Sequence, residues 1–284
     1  MKTRTHLIFF ALTLAFAMPN IVSSQPHEES DPDRPTFVLV HGTFQWGGQW
    51  NPLSSLLKKE GYAVHAPSMT GLGEREHLLS KQTGLSTHIE DISNYITWLD
   101  LRDVILVSHS YGGAVITGVA DKIGDRIAHV VYIDTVPLNH GENILDAFGE
   151  EVESIARKSV EESGDGWLIS AEALRDALPT MRSHPWKTYT DRIDLKSVSP
   201  KAGTIIVATE SAEIFGYMRK TQAPTRANAR GWQLYTVKGP HPLQETSPSK
   251  EKVAEILLEI AKPKKQPMDK RYRRTRRALQ LRVH

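Results

Sequence analysis

The stretch VSHSYGG, residues 107–113, decides how this chain folds. It continues the apolar run Val104–Val107, which is typical of a strand buried on both faces, and it leads into small and β-branched residues that can form a closely packed helix. A strand that turns sharply into a helix forms a strained elbow, which lifts the hydroxyl of Ser110 above the sheet. The turn needs small residues two positions before and two after that serine. Ser108 and Gly112 meet this need, so the usual G-x-S-x-G pattern becomes S-x-S-x-G.

Ser110 is the candidate nucleophile because the elbow places it at a helix N-terminus, where backbone N–H groups favour developing negative charge. A serine hydroxyl needs a neighbouring base to react near neutral pH. In this strand-turn-helix architecture the base follows the last strand and precedes the final helix. Of the twelve histidines, His241 holds that position. The sequence therefore predicts Ser110 as nucleophile and His241 as its base.

The loop after the first predicted strand supplies a second element of the predicted site. It reads His41-Gly42-Thr43-Phe44, and Gly42 lets its backbone turn close to the reacting atoms. We expect the backbone N–H groups of Thr43 and Tyr111 to form an oxyanion hole, which would hold a tetrahedral intermediate. Such a pair of donors predicts acyl transfer.

The acid that should orient His241 is left open by the sequence. The loop after the next-to-last predicted strand has no aspartate where one is expected, at Ser211 or Ala212. Asp134 lies directly after the preceding sheet strand, whose loop is also close to the histidine. Glu210 is the alternative acid, and Glu213, or no acid at all, is the third possibility.

The order of elements predicts an α/β fold, with a mostly parallel central sheet and helices on both faces. Short β-rich runs alternate with helical patterns across residues 36–261, which we interpret as one domain. Between Pro137 and Pro200 that alternation stops, and the pattern is helical, polar and without a convincing strand. We predict an inserted helical lid at about 137–200.

Both ends of the chain differ in composition from the domain between them. Residues 1–24 combine a basic start, a short apolar run and small residues before the expected cleavage after Ser24, which predicts a signal peptide and export. Residues 25–35 should be a flexible segment. Residues 262–284 hold ten Lys or Arg and one acid, and they predict a disordered basic tail that could contact an anionic surface.

Composition excludes several classes of function. Cysteine is absent, so thiol nucleophiles, thiolate metal sites and disulfides are excluded. Residues 25–261 are net acidic, which gives little support to nucleic-acid binding. No His, Asp or Glu group has the spacing of metal ligands on one element, so we expect no metal and no cofactor.

Four stretches carry a resemblance to a known family: residues 37–50, 66–78, 100–121 and 130–138. They resemble the branch of the α/β-hydrolase superfamily that holds plant methyl-ester esterases, hydroxynitrile lyases and small bacterial carboxylesterases, including pyrethroid hydrolases. The resemblance implies a cofactor-free esterase, with the predicted nucleophile, base and oxyanion donors at the family's motif positions. Pro242 stands where the lyases place a lysine, so we favour hydrolysis over cyanohydrin cleavage.

The leading functional hypothesis is a serine carboxylic-ester hydrolase acting on small, fairly apolar esters; a lactone would use the same machinery. Phe44, Trp46, Trp167 and Phe215 are the predicted substrate-binding side chains. The alternative is a small-ligand-binding protein that keeps the pocket with weak or no turnover, and the unusual acid loop motivates it. A lyase is the third hypothesis.

Overall fold

The computed structural model describes residues 34–163, 166–168, 181–196, 200 and 202–262. The predicted signal peptide at 1–24, almost all of the segment 25–35, and the basic tail apart from Lys262 lie outside these residues. Among the helices in the described part of the chain, none is long and apolar enough to cross a membrane.

The core of the molecule is a six-stranded sheet in which every neighbouring pair is parallel, with the strand order β2-β1-β3-β4-β7-β8. This confirms the predicted fold class. The strands of this sheet are β1 (Phe37–Val40), β2 (Val64–His65), β3 (Val104–His109), β4 (Ile127–Ile133), β7 (Gly203–Ala208) and β8 (Gln233–Val237).

Helices cover both faces of the sheet. They are α1 (Asn51–Lys59), α2 (Leu85–Trp98), α3 (Gly112–Lys122), α4 (Ile144–Phe148), α5 (Glu150–Ser163), α6 (Lys187–Thr190), α7 (Ala223–Arg230) and α8 (Ser249–Ala261). Because successive strand side chains point to opposite faces, each central strand feeds two separate cores. In β3, Ile105 and Val107 pack with α1 and α8, whereas Val104 and Leu106 pack with α2, α3 and α7.

The chain between β4 and β7 contains the predicted helical insertion, with one difference. It includes α4, α5 and α6, and also a two-stranded antiparallel ladder of β5 (Trp167–Leu168) and β6 (His184–Pro185). The expectation of no strand in this region is therefore wrong. Each strand has only two residues, too few for the alternation that reveals a strand in a sequence.

The elbow between β3 and α3 depends on a very close approach of two backbones. A β-carbon built on Gly112 would lie 2.7 Å from the carbonyl oxygen of Val40 and 2.8 Å from that of His41. Both oxygens belong to the end of β1 and the start of the following loop, so they cannot move aside without shifting the sheet. Glycine is therefore required at this position.

Gly112→Ala should lower the free energy of unfolding by about 1–3 kcal/mol, because the added methyl group overpacks a rigid backbone contact. Gly124→Ala is the matched control, since a β-carbon there meets nothing within 4 Å, and its effect should stay within about 0.5 kcal/mol. Chemical denaturation of both variants measures the difference. Equal stabilities would contradict this account of the elbow.

Candidate active site

Ser110 lies at the tip of the elbow, in the conformation that the motif demands. Its φ is +52°, a left-handed value that is uncommon for a non-glycine residue. Its backbone N–H donates to the carbonyl oxygen of Ile133 at 3.2 Å, which ties the turn to β4. The side chain is mostly buried but lines a cavity on the protein surface.

His241 lies in the loop after β8 and lines the same cavity as Ser110. Its Nδ1 lies 2.6 Å from Oδ2 of Asp134, and this hydrogen bond joins a partly exposed ring to a fully buried carboxylate. Because a carboxylate accepts, Nδ1 carries the proton and Nε2 is free of that bond. The ring stacks on Phe215 at a centroid distance of 4.4 Å and lies 4.5 Å from the ring of His109.

Asp134 is held directly after β4 in an unusual backbone conformation, with φ at +46°. Its backbone N–H continues the sheet by donating to Ile206 at 2.7 Å. Its Oδ1 accepts from the N–H of Ala208 at 2.9 Å, and its Oδ2 accepts from the hydroxyl of Ser211 as well as from His241. A fully buried carboxylate requires such donors, because an unpaired charge in the interior is very costly.

The two glutamates proposed as alternative acids face other partners. Glu210 is half exposed and lies 3.8 Å from the ammonium of Lys238. Glu213 is largely exposed and pairs with Lys220 at 3.1 Å. Among the candidate acids, the structure therefore brings Asp134 to His241 and directs Glu210 and Glu213 to surface lysines.

The predicted oxyanion loop is fixed by contacts on both sides. The N–H of Gly42 donates to Oε1 of Gln49 at 3.4 Å, and the hydroxyl of Thr43 lies 2.6 Å from the hydroxyl of Tyr189 in α6. Phe44 follows in a left-handed turn with φ at +62°. Tyr111 directly follows Ser110 and its ring is fully buried, so its backbone is anchored beside the elbow.

A buried hydrogen-bond network that the sequence analysis missed joins the loops of the site. His109 lies 3.1 Å through Nε2 from the backbone oxygen of His241, and 3.2 Å through Nδ1 from the amide nitrogen of Gln49. The same amide donates to Glu245 at 2.9 Å, while its oxygen accepts from Gly42. Burial and the nearby His241 hold the pKa of His109 well below its ordinary value, so the ring stays neutral.

Two more buried histidines brace the loops in their neutral form. Nε2 of His41 accepts from the N–H of Met69 at 3.1 Å, and Nε2 of His88 donates to the carbonyl of Thr70 at 3.0 Å. The other ring nitrogen of His88 then accepts from the hydroxyl of Tyr111 at 2.9 Å. Burial lowers the pKa of both histidines to about 4. They therefore act as uncharged scaffold groups near neutral pH.

The cavity above Ser110 has a volume of about 800 Å³ and a predominantly apolar wall. The apolar side chains of that wall include Phe44, Phe148, Val152, Ile155, Ala156, Leu168, Met181, Ile214, Phe215 and Pro242. Five of them come from α4, α5 and β5, and sequence reasoning missed these five positions. The helical spacing of Val152, Ile155 and Ala156 was the available signal.

Two of the four predicted substrate-binding side chains lie outside the described wall of the cavity. Phe44 and Phe215 line the cavity, whereas Trp46 and Trp167 are not among the residues of its described wall. Trp46 packs against Gly48 and Gly73, where an added β-carbon would clash with it. Trp167 precedes Leu168 in β5, and neighbouring strand residues point to opposite faces, so Leu168 faces the cavity instead.

Among the residues that the structure describes, no group of three or more His, Asp or Glu side chains could hold a metal ion.

Comparison with known proteins places this geometry in context. The chain is 45% identical over 109 residues to the carbendazim hydrolyzing esterase of Nocardioides sp. strain SG-4G, a match covering 38% of this chain and 45% of that protein. It is 29% identical over 119 residues to putative methylesterase 15 of Arabidopsis thaliana, covering 42% of this chain and 27% of the relative. The matches thus span less than half the length of these two relatives.

A solved structure with the same fold is an extracellular α/β-hydrolase from a Paenibacillus species. It superposes with a TM-score of 0.68 at 25% identity, covering 81% of this chain and all of the other. The sequence profile of the Alpha/beta hydrolase family matches residues 37–255, which include the elbow, the loops after β1 and β4, and His241. On this match and this fold, the chain belongs to the alpha/beta hydrolase family.

Proposed function

We propose that this protein is a serine carboxylic-ester hydrolase that works through an acyl-enzyme. The observation that carries the proposal is the convergence of Ser110 on a strained elbow, His241 in the same cavity, and Asp134 bonded to His241 at 2.6 Å. The names of the relatives, two of them esterases, agree with it. In this proposal Asp134 takes the role of the acid.

The chemistry follows from the protonation states. Nε2 of His241 accepts the proton of the Ser110 hydroxyl as its oxygen attacks the ester carbonyl, and the Asp134 carboxylate stabilises the imidazolium. The N–H groups of Thr43 and Tyr111 hold the oxyanion. The imidazolium then protonates the departing alcohol. A water molecule, deprotonated by His241, attacks the acyl-enzyme and releases the carboxylic acid.

The cavity favours small, fairly apolar esters. α4 and α5 supply aliphatic and aromatic side chains to its wall. The polar residues that line it are Thr43, Gln45, His109, Ser110, Lys158, Ser159, Glu162, Tyr189, His241 and Glu245. Lactones fit the same machinery. Carbendazim, after which the Nocardioides relative is named, belongs in the first panel of compounds.

The binding-protein alternative loses its motive in this geometry. It was suggested by the missing aspartate in the loop after β7, and Asp134 supplies a buried carboxylate to His241 from the loop after β4. The lyase alternative also has little support, because the residue after His241 is Pro242, which lines the cavity without a charge.

Ser110→Ala should lower kcat/KM on p-nitrophenyl and methyl esters by at least about 10³-fold, because no other hydroxyl is predicted to act as nucleophile. The same variant should not be labelled by a fluorophosphonate probe. Ser108→Ala is the matched control, since its hydroxyl is buried against the Val131 carbonyl at 3.3 Å, and it should still be labelled. Undiminished hydrolysis by Ser110→Ala would eliminate the proposed mechanism.

Asp134→Asn should lower kcat by about 10³-fold or more, because the amide cannot stabilise the imidazolium and can impose the wrong tautomer on His241. Glu210→Gln removes only an exposed contact with Lys238, so kcat should change by about twofold at most. Steady-state kinetics of the two variants decide between the acids. A larger loss in Glu210→Gln would reverse the assignment.

Ala156→Phe should reduce the room in the cavity, because Ala156 is buried and lines the wall. We expect kcat/KM for bulky esters to fall about tenfold, while that for acetate esters changes little. Ser154→Phe, on the exposed side of the same helix, is the control. It should leave the ratio of kcat/KM for bulky esters to kcat/KM for acetate esters unchanged. If both esters respond equally to Ala156→Phe, the substrate binds elsewhere.

A further inference from the structure

Ser211 occupies the place in the loop after β7 where the sequence pattern expects an acid. The structure puts its hydroxyl beside the contact between the Asp134 carboxylate and the His241 ring. It donates to Oδ2 of Asp134 and lies 3.5 Å from Nδ1 of His241. Its side chain is buried, with 7% exposure. An otherwise surface loop therefore sends one small polar side chain inward, to the contact between acid and base.

Both carboxylate oxygens of Asp134 accept hydrogen bonds, and the Ser211 hydroxyl is one of the donors. Oδ1 accepts a hydrogen bond from the N–H of Ala208, so the carboxylate cannot rotate about its Cβ–Cγ bond without losing that hydrogen bond. Oδ2 accepts from both Ser211 and His241. A neutral donor on Oδ2 therefore competes with the imidazole N–H for the same carboxylate oxygen.

We propose that Ser211 is a positioning residue, whose hydroxyl fills a second acid position beside His241 and holds the Asp134 carboxylate in place. The proposal rests on the proposed hydrolase function of the site. It implies that two strand ends, those of β4 and β7, each offer a position from which a carboxylate can reach Nδ1 of His241. In this chain aspartate occupies the first position and serine occupies the second.

The proposal predicts a change in the pH profile when the hydroxyl is removed. Without the Ser211 donor, Oδ2 interacts more strongly with the imidazolium. The imidazolium should therefore persist to a higher pH, and in that form His241 cannot accept the Ser110 proton. The titratable groups that face His241 are Asp134, His109 and Glu245, and they are the same in every Ser211 variant.

In Ser211→Ala, kcat/KM should fall about tenfold, and its acidic limb should move to higher pH by about half a unit. Ser211→Thr keeps the hydroxyl and should retain the wild-type limb. A serine that only fills space would lower stability and rate without moving the limb. An unmoved limb in Ser211→Ala would therefore overturn the proposal.

The second acid position is tested by transfer of the carboxylate. Ser211→Asp in the Asp134→Asn background should raise kcat at least about tenfold over Asp134→Asn alone, because Asp at 211 can bond Nδ1 from the other strand end. Ala212→Asp in the same background is the matched control, since Ala212 is exposed, and it should give no recovery. Equal activities of the two double variants would disprove the second position.

A measurement independent of turnover separates this proposal from the hydrolase proposal. In Ser110→Ala protein, the downfield proton NMR signal of a histidine N–H shared with a buried carboxylate should be present. It should vanish on adding Asp134→Asn and return on adding Ser211→Asp as well. Its failure to return overturns the role of Ser211, even if no ester is ever hydrolysed. Conversely, ester hydrolysis that survives Ser110→Ala sinks the hydrolase proposal, while the signal still tests Ser211.

Discussion

The parallel arrangement of the central strands brings the candidate catalytic residues together. Because β1, β3, β4, β7 and β8 run in one direction, the loops that follow them all emerge at the same edge of the sheet. Thr43, Ser110, Asp134, Ser211 and His241 each follow one of these strands, in that order. Residues nearly 200 positions apart in the sequence can meet because strands buried on both faces hold them in register.

The most demanding part of this arrangement is the charge at Asp134, which is fully removed from solvent. Its carboxylate is tolerated there because three donors on β7, its loop and the loop after β8 all converge on it. On the other side of the His241 ring, His109 and Gln49 bind the backbone of His241 and of Gly42. His241 is therefore held through its ring by Asp134 and through its main chain by His109.

The sequence was informative where burial and order leave a pattern. Apolar runs such as Val104–Val107 predicted the buried strands, the small residues around Ser110 predicted the elbow, and the order of elements singled out His241. The choice between Asp134 and Glu210 depends on which side chain points inward across two strand ends, and periodicity carries no such information. The sequence could not place the rings of Trp46 and Trp167 for a related reason: an aromatic residue near a site can turn to either side, and only packing decides.

The apolar wall of the cavity has a consequence for how such a protein can change over time. Much of that wall belongs to α4, α5 and the β5–β6 ladder, whereas the residues proposed to react belong to loops at the edge of the sheet. The hydrogen bond between Thr43 and Tyr189 is a point at which the two parts meet. If the proposed function holds, substitutions in the wall can change which compounds fit the cavity while leaving the residues proposed to react unchanged. One arrangement of loop residues can thus serve related proteins that accept very different compounds.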